Sequence, residues 1–433
     1  MSFVTTDVIE VRAWGRRVGA LALDPTTEYY AFEYDGEWLV NGEDLSPLHL
    51  PRRPGVFVFP QLSRRTYYGL PALIADALPD RFGNALVDAW MADQGVVASE
   101  ITALDRLAYA SDRTMGALTF APPLPGVPTA PSVVNLADLV TAARAELHGK
   151  FRGDDALGTL RQLISVGSTA GGARAKAVIA YNPVTDQIRS GQFGTPEGFE
   201  QWLVKLDGVG AIAGEANDSL TASTPFTRIE YAYYLMALDA GVEMSPSRLL
   251  LEGPRAHFLT RRFDRRANDE RVHVQTLCAM AHLDFNLPRT HSYASYFLAG
   301  AQLGLTREDY AQMFRRVVFN VMGVNRDDHT KNFSFLLPEG GTWALAPAYD
   351  VTHALWSGEW TQGHQMSVNA KFSEITLDDL RALGEAHDVP DVARVLREVR
   401  DAIEAWPSYA DAAGLDDETT ARIADDHARL RPR

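Results

Sequence analysis

Apolar and polar residues alternate with a period of two through much of the first sixty positions, which is typical of β-strands with one buried face. The predicted strands cover residues 8–14, 18–23, 29–34 and 57–59, and Gly15 to Arg17 give a hairpin signal. From Leu70 the apolar spacing becomes helical, with predicted helices over residues 70–78, 81–91 and 101–110. The proline-rich run 122–128 then marks a linker. Residues 1–125 are therefore predicted to form an N-terminal domain, β-rich and then helical.

The remaining chain, residues 126–433, is predicted to form a second domain. Its part 126–265 contains a glycine-rich loop and several strands, and its part 266–433 is mostly helical. The predicted helices lie at residues 136–147, 157–164 and 226–238 and from residue 377 onward, and the predicted strands lie at residues 177–181, 187–191, 202–206, 248–251 and 257–263. Strands followed by helices predict an α+β fold with two lobes.

Composition restricts the class of protein. The 433 residues carry a formal net charge of −15, so binding of nucleic acid by the whole surface is not expected. Arg261–Arg262 and Arg265–Arg266 leave a local basic patch open. The single cysteine, Cys278, excludes an internal disulfide framework and a cluster of thiolate ligands. The chain shows no secretory signal and no apolar run of membrane length, and we expect a cytoplasmic protein without a membrane partner.

The chemistry concentrates in residues 325–332, between an apolar helical pattern and an apolar strand pattern. An Asp followed five positions later by an Asn has the spacing of the kinase catalytic loop. In that loop the Asp accepts the proton of the attacking hydroxyl and the Asn holds magnesium. Asp327 and Asn332 are candidates for these roles, and Asp350, which follows a second apolar run, is a candidate for the other magnesium ligand.

Two other interpretations of this run stay open. Asp and Asn favour turns, so the segment can be an ordinary polar turn. A zinc hydrolase built on Asp327, Asp328 and nearby histidines is the second alternative. His353 and His364 are not at the spacing of metal ligands relative to His329, which disfavours it.

Features upstream are consistent with a nucleotide site. Residues 167–176 form a glycine-rich segment whose backbone N–H groups can approach a phosphate, although it is neither a Walker loop nor a dinucleotide fingerprint. Lys205 lies in an apolar strand pattern, where its ammonium requires an anion or an edge facing water. Glu230, in the predicted helix 226–238, is a candidate partner for Lys205 or a solvated helix residue. Phe263 can stack on adenine or pack in the core.

Together these residues resemble the HipA family, serine/threonine kinases that serve as toxins in bacterial toxin–antitoxin modules. The resemblance covers nearly the whole chain and implies a two-lobed, protein-kinase-like fold. Its N-terminal subdomain would be β-rich and its C-terminal lobe largely helical. The segments that carry the resemblance are Val18–Leu21, Gly69–Asp80, Gly171–Lys176, Leu203–Lys205, Arg262–Arg265, Asn325–Ser334 and Tyr349–Asp350.

The resemblance also implies roles for individual residues. Asp327 would be the catalytic base, and Asn332 and Asp350 would hold Mg²⁺. The residues implied to bind ATP are Ser168, Thr169, Ala170, Gly171, Gly172, Ala173, Lys176, Lys205, Arg261, Phe263, His329 and Tyr349. Family members can phosphorylate a serine of the glycine-rich loop and so silence themselves, and Thr169, with Ser168 beside it, stands at that position here.

The predicted function is ATP- and Mg²⁺-dependent phosphorylation of a Ser or Thr in a protein of the translation machinery, such as an aminoacyl-tRNA synthetase. The expected partner is a helix-turn-helix antitoxin of the HipB type, through which DNA would mainly be contacted. Residues 274–278 depart from the Gln-Glu-Asp-Phe of many family members, so the substrate is not carried over from them. The alternatives are a small-molecule kinase and a non-catalytic nucleotide-binding partner or co-repressor.

Overall fold

The computed structural model describes residues 6–79, 81–125, 176–191, 194–209, 225–266, 269–355 and 358–432. Within them the longer strands lie before residue 265 and most helices lie after it, which is the α+β architecture that the sequence predicts. No helix among these residues is long and apolar enough to cross a membrane.

Five antiparallel strands form the N-terminal sheet. They are β1 (Val8–Ala13), β2 (Arg16–Asp24), β3 (Tyr29–Tyr34), β4 (Val56–Phe57) and β5 (Leu118–Ala121), in the order β4-β3-β2-β1-β5. Ile9, Val11 and Ala13 of β1 are fully buried, so one face of the strand packs on the core. The predicted hairpin is present, but its turn residues are Trp14 and Gly15, both with positive φ, because a two-residue hairpin turn needs that conformation.

Five helices of the described residues accompany this sheet, and the first and the last of them pack against its strands. They are α1 (Gly36–Asn41), α2 (Arg64–Tyr67), α3 (Ala72–Ala75), α4 (Arg81–Asp93) and α5 (Ala103–Ala110), with a 3₁₀ turn at Ala98–Glu100. The helix predicted over residues 70–78 is reduced to α3. Beyond it, the N–H groups of Ala77 and Leu78 bond three residues back, which gives the tighter 3₁₀ geometry.

A second antiparallel sheet forms the middle of the chain, with α6 (Phe226–Asp239) packed against two of its strands. The strands are β6 (Lys176–Tyr181), β7 (Ile188–Ser190), β8 (Glu200–Lys205), β9 (Ser247–Glu252) and β10 (Arg255–Arg261), in the order β7-β6-β8-β10-β9. The strand predicted to run to Phe263 ends at Arg261. The predicted helices 136–147 and 157–164, residues 126–128 of the linker and the glycine-rich loop up to residue 175 lie outside the described residues.

The C-terminal part is largely helical. Its helices are α7 (Leu277–Met280), α8 (Tyr293–Gln302), α9 (Arg307–Met322), α10 (Leu377–Ala386), α11 (Val392–Glu404), α12 (Trp406–Ala412) and α13 (Asp417–Leu430). Five short strands accompany them: β11 (His273–Thr276), β12 (His291–Ser292), β13 (Ser334–Leu337), β14 (Ala344–Leu345) and β15 (Met366–Ser367). The apolar run that precedes Asp350 forms only the short strand β14, since Pro347 has no N–H to continue the ladder.

The helix α9 is the centre of this part, and it ends where the candidate catalytic loop begins. Thr306 and Asp309 form a capping box at its start. Met313, Val317 and Val318 have no exposed surface, so its second half is enclosed by the other helices. A loop that leaves such a helix starts from a fixed point.

A buried ion cluster joins the N-terminal part to the second sheet. Asp264 has no exposed surface; Arg262 donates to its two oxygens at 2.9 and 2.7 Å, and Arg265 donates at 2.6 Å. From the N-terminal part, Gly116 N donates to Asp264 at 2.7 Å, and Thr114 O accepts from Arg265 at 2.9 Å. The segment Arg262–Arg265, one of those that carry the family resemblance, therefore forms a contact between the two parts.

The charges of this cluster are compensated within it. Burial opposes ionisation of Asp264, but Arg262 and Arg265 outweigh burial and hold its pKa well below the ordinary range. Burial, with help from Arg262, lowers the pKa of Arg265 to about 9. Arg262 and Arg265 therefore do not belong to a basic surface patch, which the sequence had left open, because both side chains are buried and bound to Asp264.

Candidate active site

Lys205, at the end of the central strand β8, lies at the centre of a buried group of charges. Its Nζ donates to Glu230 Oε1 at 2.5 Å and to Asp350 Oδ1. The side chains of Lys205 and Glu230 are 10% and 4% exposed, so the ion pair is almost completely shielded from solvent. The sequence leaves Glu230 of α6 open between a partner of Lys205 and a solvated helix residue, and the structure has the contact with Lys205. Burial opposes the charge of Lys205, but Asp350 and Glu230 together raise its pKa.

Lys176 adds a second cation to this group. It is the first residue of β6 and lies directly opposite Lys205 in the β6–β8 ladder. Residues paired in this way have Cβ atoms about 4.5–5.5 Å apart. Burial opposes ionisation of Asp350, but Lys205 and then Lys176 outweigh it and depress the pKa of Asp350. Two lysines and one ionised aspartate thus converge at the end of the sheet, which is an environment suited to a phosphate chain with its cation.

The loop from Asn325 to Asn332 is fixed from its buried side by Asp328. This carboxylate has no exposed surface and accepts from Tyr293 Oη at 2.5 Å, His364 Nδ1 at 2.9 Å and Gln365 N at 2.7 Å. Its neighbour Asp327 points elsewhere, with 35% of its side chain exposed. Two adjacent aspartates that look alike in the sequence therefore have different roles, one structural and one available for chemistry.

Asp327 is positioned by contacts from both directions. Trp360 Nε1 donates to its Oδ1 at 2.7 Å, and His329 Nε2 lies 3.9 Å from the same oxygen. Asn332 Nδ2 donates to its backbone carbonyl at 2.8 Å. Burial raises the pKa of Asp327, an effect opposed by His329 and Trp360. A general base is more effective when its pKa moves toward the working pH, so this direction fits proton acceptance.

Asn332 and Asp350 have the chemistry of magnesium ligands. The amide nitrogen of Asn332 is used by Asp327, which leaves its oxygen as the available donor atom. Asp350 is ionised, and its side chain is 25% exposed. Among the described residues no three His, Cys, Asp or Glu side chains gather as a metal cage. Mg²⁺ usually needs only one or two protein oxygens together with phosphates and water, so this pair fits that ion.

Tyr349 fastens the end of the loop to the segment that carries Asp350. Its hydroxyl donates to Lys331 O at 2.7 Å and lies 2.5 Å from Ser334 Oγ. The ring centroid of Phe263 lies 5.8 Å from that of Tyr349. The two residues predicted to line a nucleotide site are therefore neighbours, and the hydroxyl of Tyr349 is already engaged by the protein.

Other predicted site residues lie apart or outside the description. Arg261 pairs with Trp202 in the ladder, three positions from the pair Phe258–Lys205, or about 10 Å along the strand. Its side chain is 49% exposed and contacts Glu200 at 3.4 Å. The remaining predicted positions, Ser168, Thr169, Ala170, Gly171, Gly172 and Ala173, lie outside the described residues.

The zinc alternative finds no support in the histidine positions. His364 bonds to Asp328, and His353 bonds to Asp426 of α13 at 3.1 Å, so the two histidines belong to different pairs. Burial lowers the pKa of His353 to about 4. His329 stays near Asp327, between the rings of Phe285 and Trp360.

Sequence reasoning missed Trp360 and the structural role of Asp328. The acidic run itself offers no signal that separates Asp328 from Asp327, since both precede the same strand. Trp360 is 33 positions from Asp327, in a segment without regular periodicity, so that only the folded chain brings its indole to the loop.

The fold and these motifs are those of a two-lobed, kinase-like protein, and two family models match the chain. Residues 9–121 match the HipA N-terminal domain, and residues 168–427 match the HipA-like C-terminal domain. The chain belongs to the HipA family.

Two individual proteins are similar to this chain. A chain of the solved Shewanella oneidensis MR-1 complex of HipA, HipB and operator DNA superposes with a TM-score of 0.65 at 16% sequence identity, covering 98% of this chain and 95% of that one. At that identity the likeness shows the fold. The Sinorhizobium fredii protein named "Putative kinase Y4dM" is 28% identical over 171 residues, which are 38% of this chain. The aligned part spans about 40% of the length of that relative.

Proposed function

We propose that this protein is a kinase that transfers the γ-phosphoryl group of ATP to a Ser or Thr hydroxyl of a protein. The observation that carries the proposal is the contact of Lys205 with both Glu230 and Asp350, beside a loop in which Asp327 and Asn332 touch each other. Protein kinases require a lysine–glutamate ion pair, a metal-binding aspartate and a loop with this Asp–Asn spacing.

Each residue has a distinct part in this proposal. Lys205 and Lys176 would compensate the negative charge of the phosphates, and Asn332 and Asp350 would hold Mg²⁺. Mg²⁺ held by these two residues would supply positive charge against the phosphates, which would reduce the repulsion between the phosphates and the acceptor. Asp327 would orient the acceptor hydroxyl and take its proton. Phosphoryl transfer depends mostly on positioning and electrostatic stabilisation, and a rigid loop with a fixed aspartate supplies the former.

The partners proposed for this chain follow its family. The structural neighbour from Shewanella oneidensis is a complex with HipB and operator DNA, which supports a helix-turn-helix antitoxin as the partner of this chain too. DNA contact would be made mainly through that antitoxin, in keeping with the net charge of −15. The proposed acceptor is a component of translation such as an aminoacyl-tRNA synthetase, in the cytoplasm.

The variant Asp327→Asn tests the activity. Asn preserves the shape and removes the base and its charge, so turnover should fall by about 10²–10⁴-fold. Affinity for Mg·ATP should change little, because Asp327 is not proposed to hold the nucleotide. The control is Asp378→Asn, the same change at a carboxylate that is 89% exposed on α10.

Turnover is measured with labelled ATP against protein and small-molecule acceptors. Label transferred to protein by the parent and not by Asp327→Asn supports the proposal. Label found only in small molecules identifies a small-molecule kinase. Nucleotide binding without any transfer by the parent identifies a non-catalytic partner.

A further inference from the structure

The indole of Trp360 makes a direct hydrogen bond to the proposed catalytic base. Its Nε1 lies 2.7 Å from Asp327 Oδ1, which is normal for a donor and an ionised acceptor. His329 Nε2 is also on the side of Oδ1, at 3.9 Å. Among the described residues no donor is in hydrogen-bond contact with Oδ2. One oxygen of the carboxylate is thus engaged, and the other is left for an incoming hydroxyl.

The segment that carries Trp360 is anchored on both sides of the indole. It forms a 3₁₀ turn, Trp360–Gln362. Arg326 Nη1 donates to the carbonyls of Thr361 and Gln362 at 3.2 and 2.9 Å. Gln365 Nε2 donates to the carbonyl of Trp360 at 2.5 Å. Because Arg326 directly precedes Asp327, the loop that carries the base is hydrogen-bonded to the turn that carries the indole.

A further anchor fixes the turn from outside the loop. Arg289 Nη1 donates to Glu359 O at 2.7 Å, and its Nη2 contacts Glu359 Oε1 at 3.3 Å. Thr361, next to Trp360, has no exposed surface. Three side chains from different parts of the chain therefore hold one short turn, which distinguishes this contact from an accidental approach of an exposed tryptophan.

Rotation of the Asp327 side chain is what such a contact would restrict. The terminal torsion of an aspartate is broad, so a partly exposed carboxylate has little preference for one orientation. A rigid N–H donor at one oxygen selects an orientation and sends the second oxygen in a fixed direction. Mispositioning of a reacting group by about 1 Å can cost about 10²-fold in rate.

We propose that Trp360 is a positioning residue, whose indole N–H fixes Asp327 Oδ1 so that Oδ2 faces the acceptor hydroxyl. This inference rests on the proposed kinase function. It assigns Trp360 no direct contact with ATP or Mg²⁺. The effect of changing it should therefore be confined to the transfer step and should require Asp327.

Two substitutions separate the N–H group from the aromatic ring. Trp360→Phe keeps a ring and removes the donor, so kcat should fall by about 10- to 100-fold, a part of what a positioned base supplies. KM for ATP should stay within about two-fold of the parent, since nucleotide binding is not involved. Trp360→His retains a ring N–H and should recover part of the loss. Trp343→Phe, which changes another tryptophan of the same lobe, is the matched control and should leave kcat unchanged.

The decisive measurement is the combination with Asp327→Asn. If Trp360 acts through Asp327, Trp360→Phe should cause no further loss in the Asp327→Asn background, because neighbouring residues in one network are not additive. Equal losses in both backgrounds would overturn the inference. So would an unchanged or increased kcat in Trp360→Phe alone, the latter because the indole would then be blocking the base.

Failure of this inference is distinguishable from failure of the proposed function. If Asp327→Asn retains parental turnover, the kinase assignment of Asp327 fails whatever Trp360 does. If Asp327→Asn is inactive and Trp360→Phe is fully active, only the role of Trp360 is refuted. Mg·ATP titration of each variant excludes misfolding as the cause, since a folded variant should bind nucleotide like the parent.

Discussion

The contact between Lys205 and Glu230 predicts a measurable coupling in stability. Lys205→Met removes the cation and leaves Glu230, whose side chain is 4% exposed, as a buried carboxylate without its partner. Removing one member of a buried ion pair typically costs about 3–5 kcal/mol. Glu230→Leu is milder, because Lys205 keeps its contact with Asp350. Loss of a hydrogen bond to a charged group costs about 1.5–3 kcal/mol.

The double variant distinguishes this reasoning from simple addition. Once Lys205 is gone, removing the carboxylate of Glu230 relieves a buried charge, so the double variant should be no less stable than Lys205→Met. The stability lost in the double variant should then be smaller than the sum of the two single losses by about 1.5–3 kcal/mol. Asp350 stays partly hydrated, with 25% of its side chain exposed, and tolerates the loss of the lysine better.

Urea unfolding followed by circular dichroism and tryptophan fluorescence gives the four free energies, provided that the two transitions coincide. The control cycle is Arg381→Ala with Asp378→Ala, an ion pair whose side chains are 51% and 89% exposed. Its coupling should be at most about 0.5 kcal/mol. Losses at Lys205 and Glu230 that add within about 0.5 kcal/mol would refute the buried pair.

Three further predictions concern metal binding, the contact between the two parts of the chain, and the hydrogen bonds that the Tyr233 hydroxyl of α6 makes. Asp350→Ala and Asn332→Ala should weaken binding of Mg·ATP far more than binding of metal-free ATP. Calorimetric titration with and without magnesium measures both affinities, and an unchanged magnesium dependence would contradict the ligand assignment. Asp264→Asn should lower the unfolding free energy by about 3–5 kcal/mol at neutral pH, because two buried arginines lose their anion. Since the folded-state pKa of Asp264 is depressed, its contribution is complete above the ordinary value of 3.8 and is lost as the pH falls below it, so the gap between parent and variant should close in acid. Tyr233→Phe should lower the free energy of unfolding by about 1–3 kcal/mol, because the Tyr233 hydroxyl bonds to the carbonyl of Gly323 at the end of α9 and to His427. Thermal or urea unfolding measures the loss, and an unchanged midpoint would show that these bonds contribute nothing.

The candidate site shows which kinds of contact a sequence predicts well. Asp327 and Asn332 are five positions apart, and the bond between them closes within a single loop, so local spacing already predicts that the two residues are neighbours. Lys205 and Glu230 lie on a predicted strand and the next predicted helix, and of the two possibilities left open for Glu230 the structure has the contact with Lys205. By contrast, Lys205 and Asp350 are 145 positions apart, and only the arrangement of the sheet against the helical part brings them together.

Charge in the sequence was a poor guide to exposure. Arg262 and Arg265 were compatible with a surface patch, yet both are buried against Asp264, which a motif of alternating charges does not reveal. Asp328 and Asp327 are chemically identical neighbours, but successive residues of a loop point in different directions. Asp328 is therefore buried against Tyr293, and Asp327 is partly exposed.

The sequence by itself determined the α+β class and the family and proposed the principal charged residues of the candidate site, because periodicity and motif spacing are local properties of the chain. The tertiary structure alone decided which charges are buried, that Lys176 lies opposite Lys205, and that the indole of Trp360 contacts Asp327. The physical reason is that burial, and with it pKa and hydrogen bonding, depends on residues that are distant in sequence. No local pattern encodes those neighbours, so only the folded chain determines the geometry of the site.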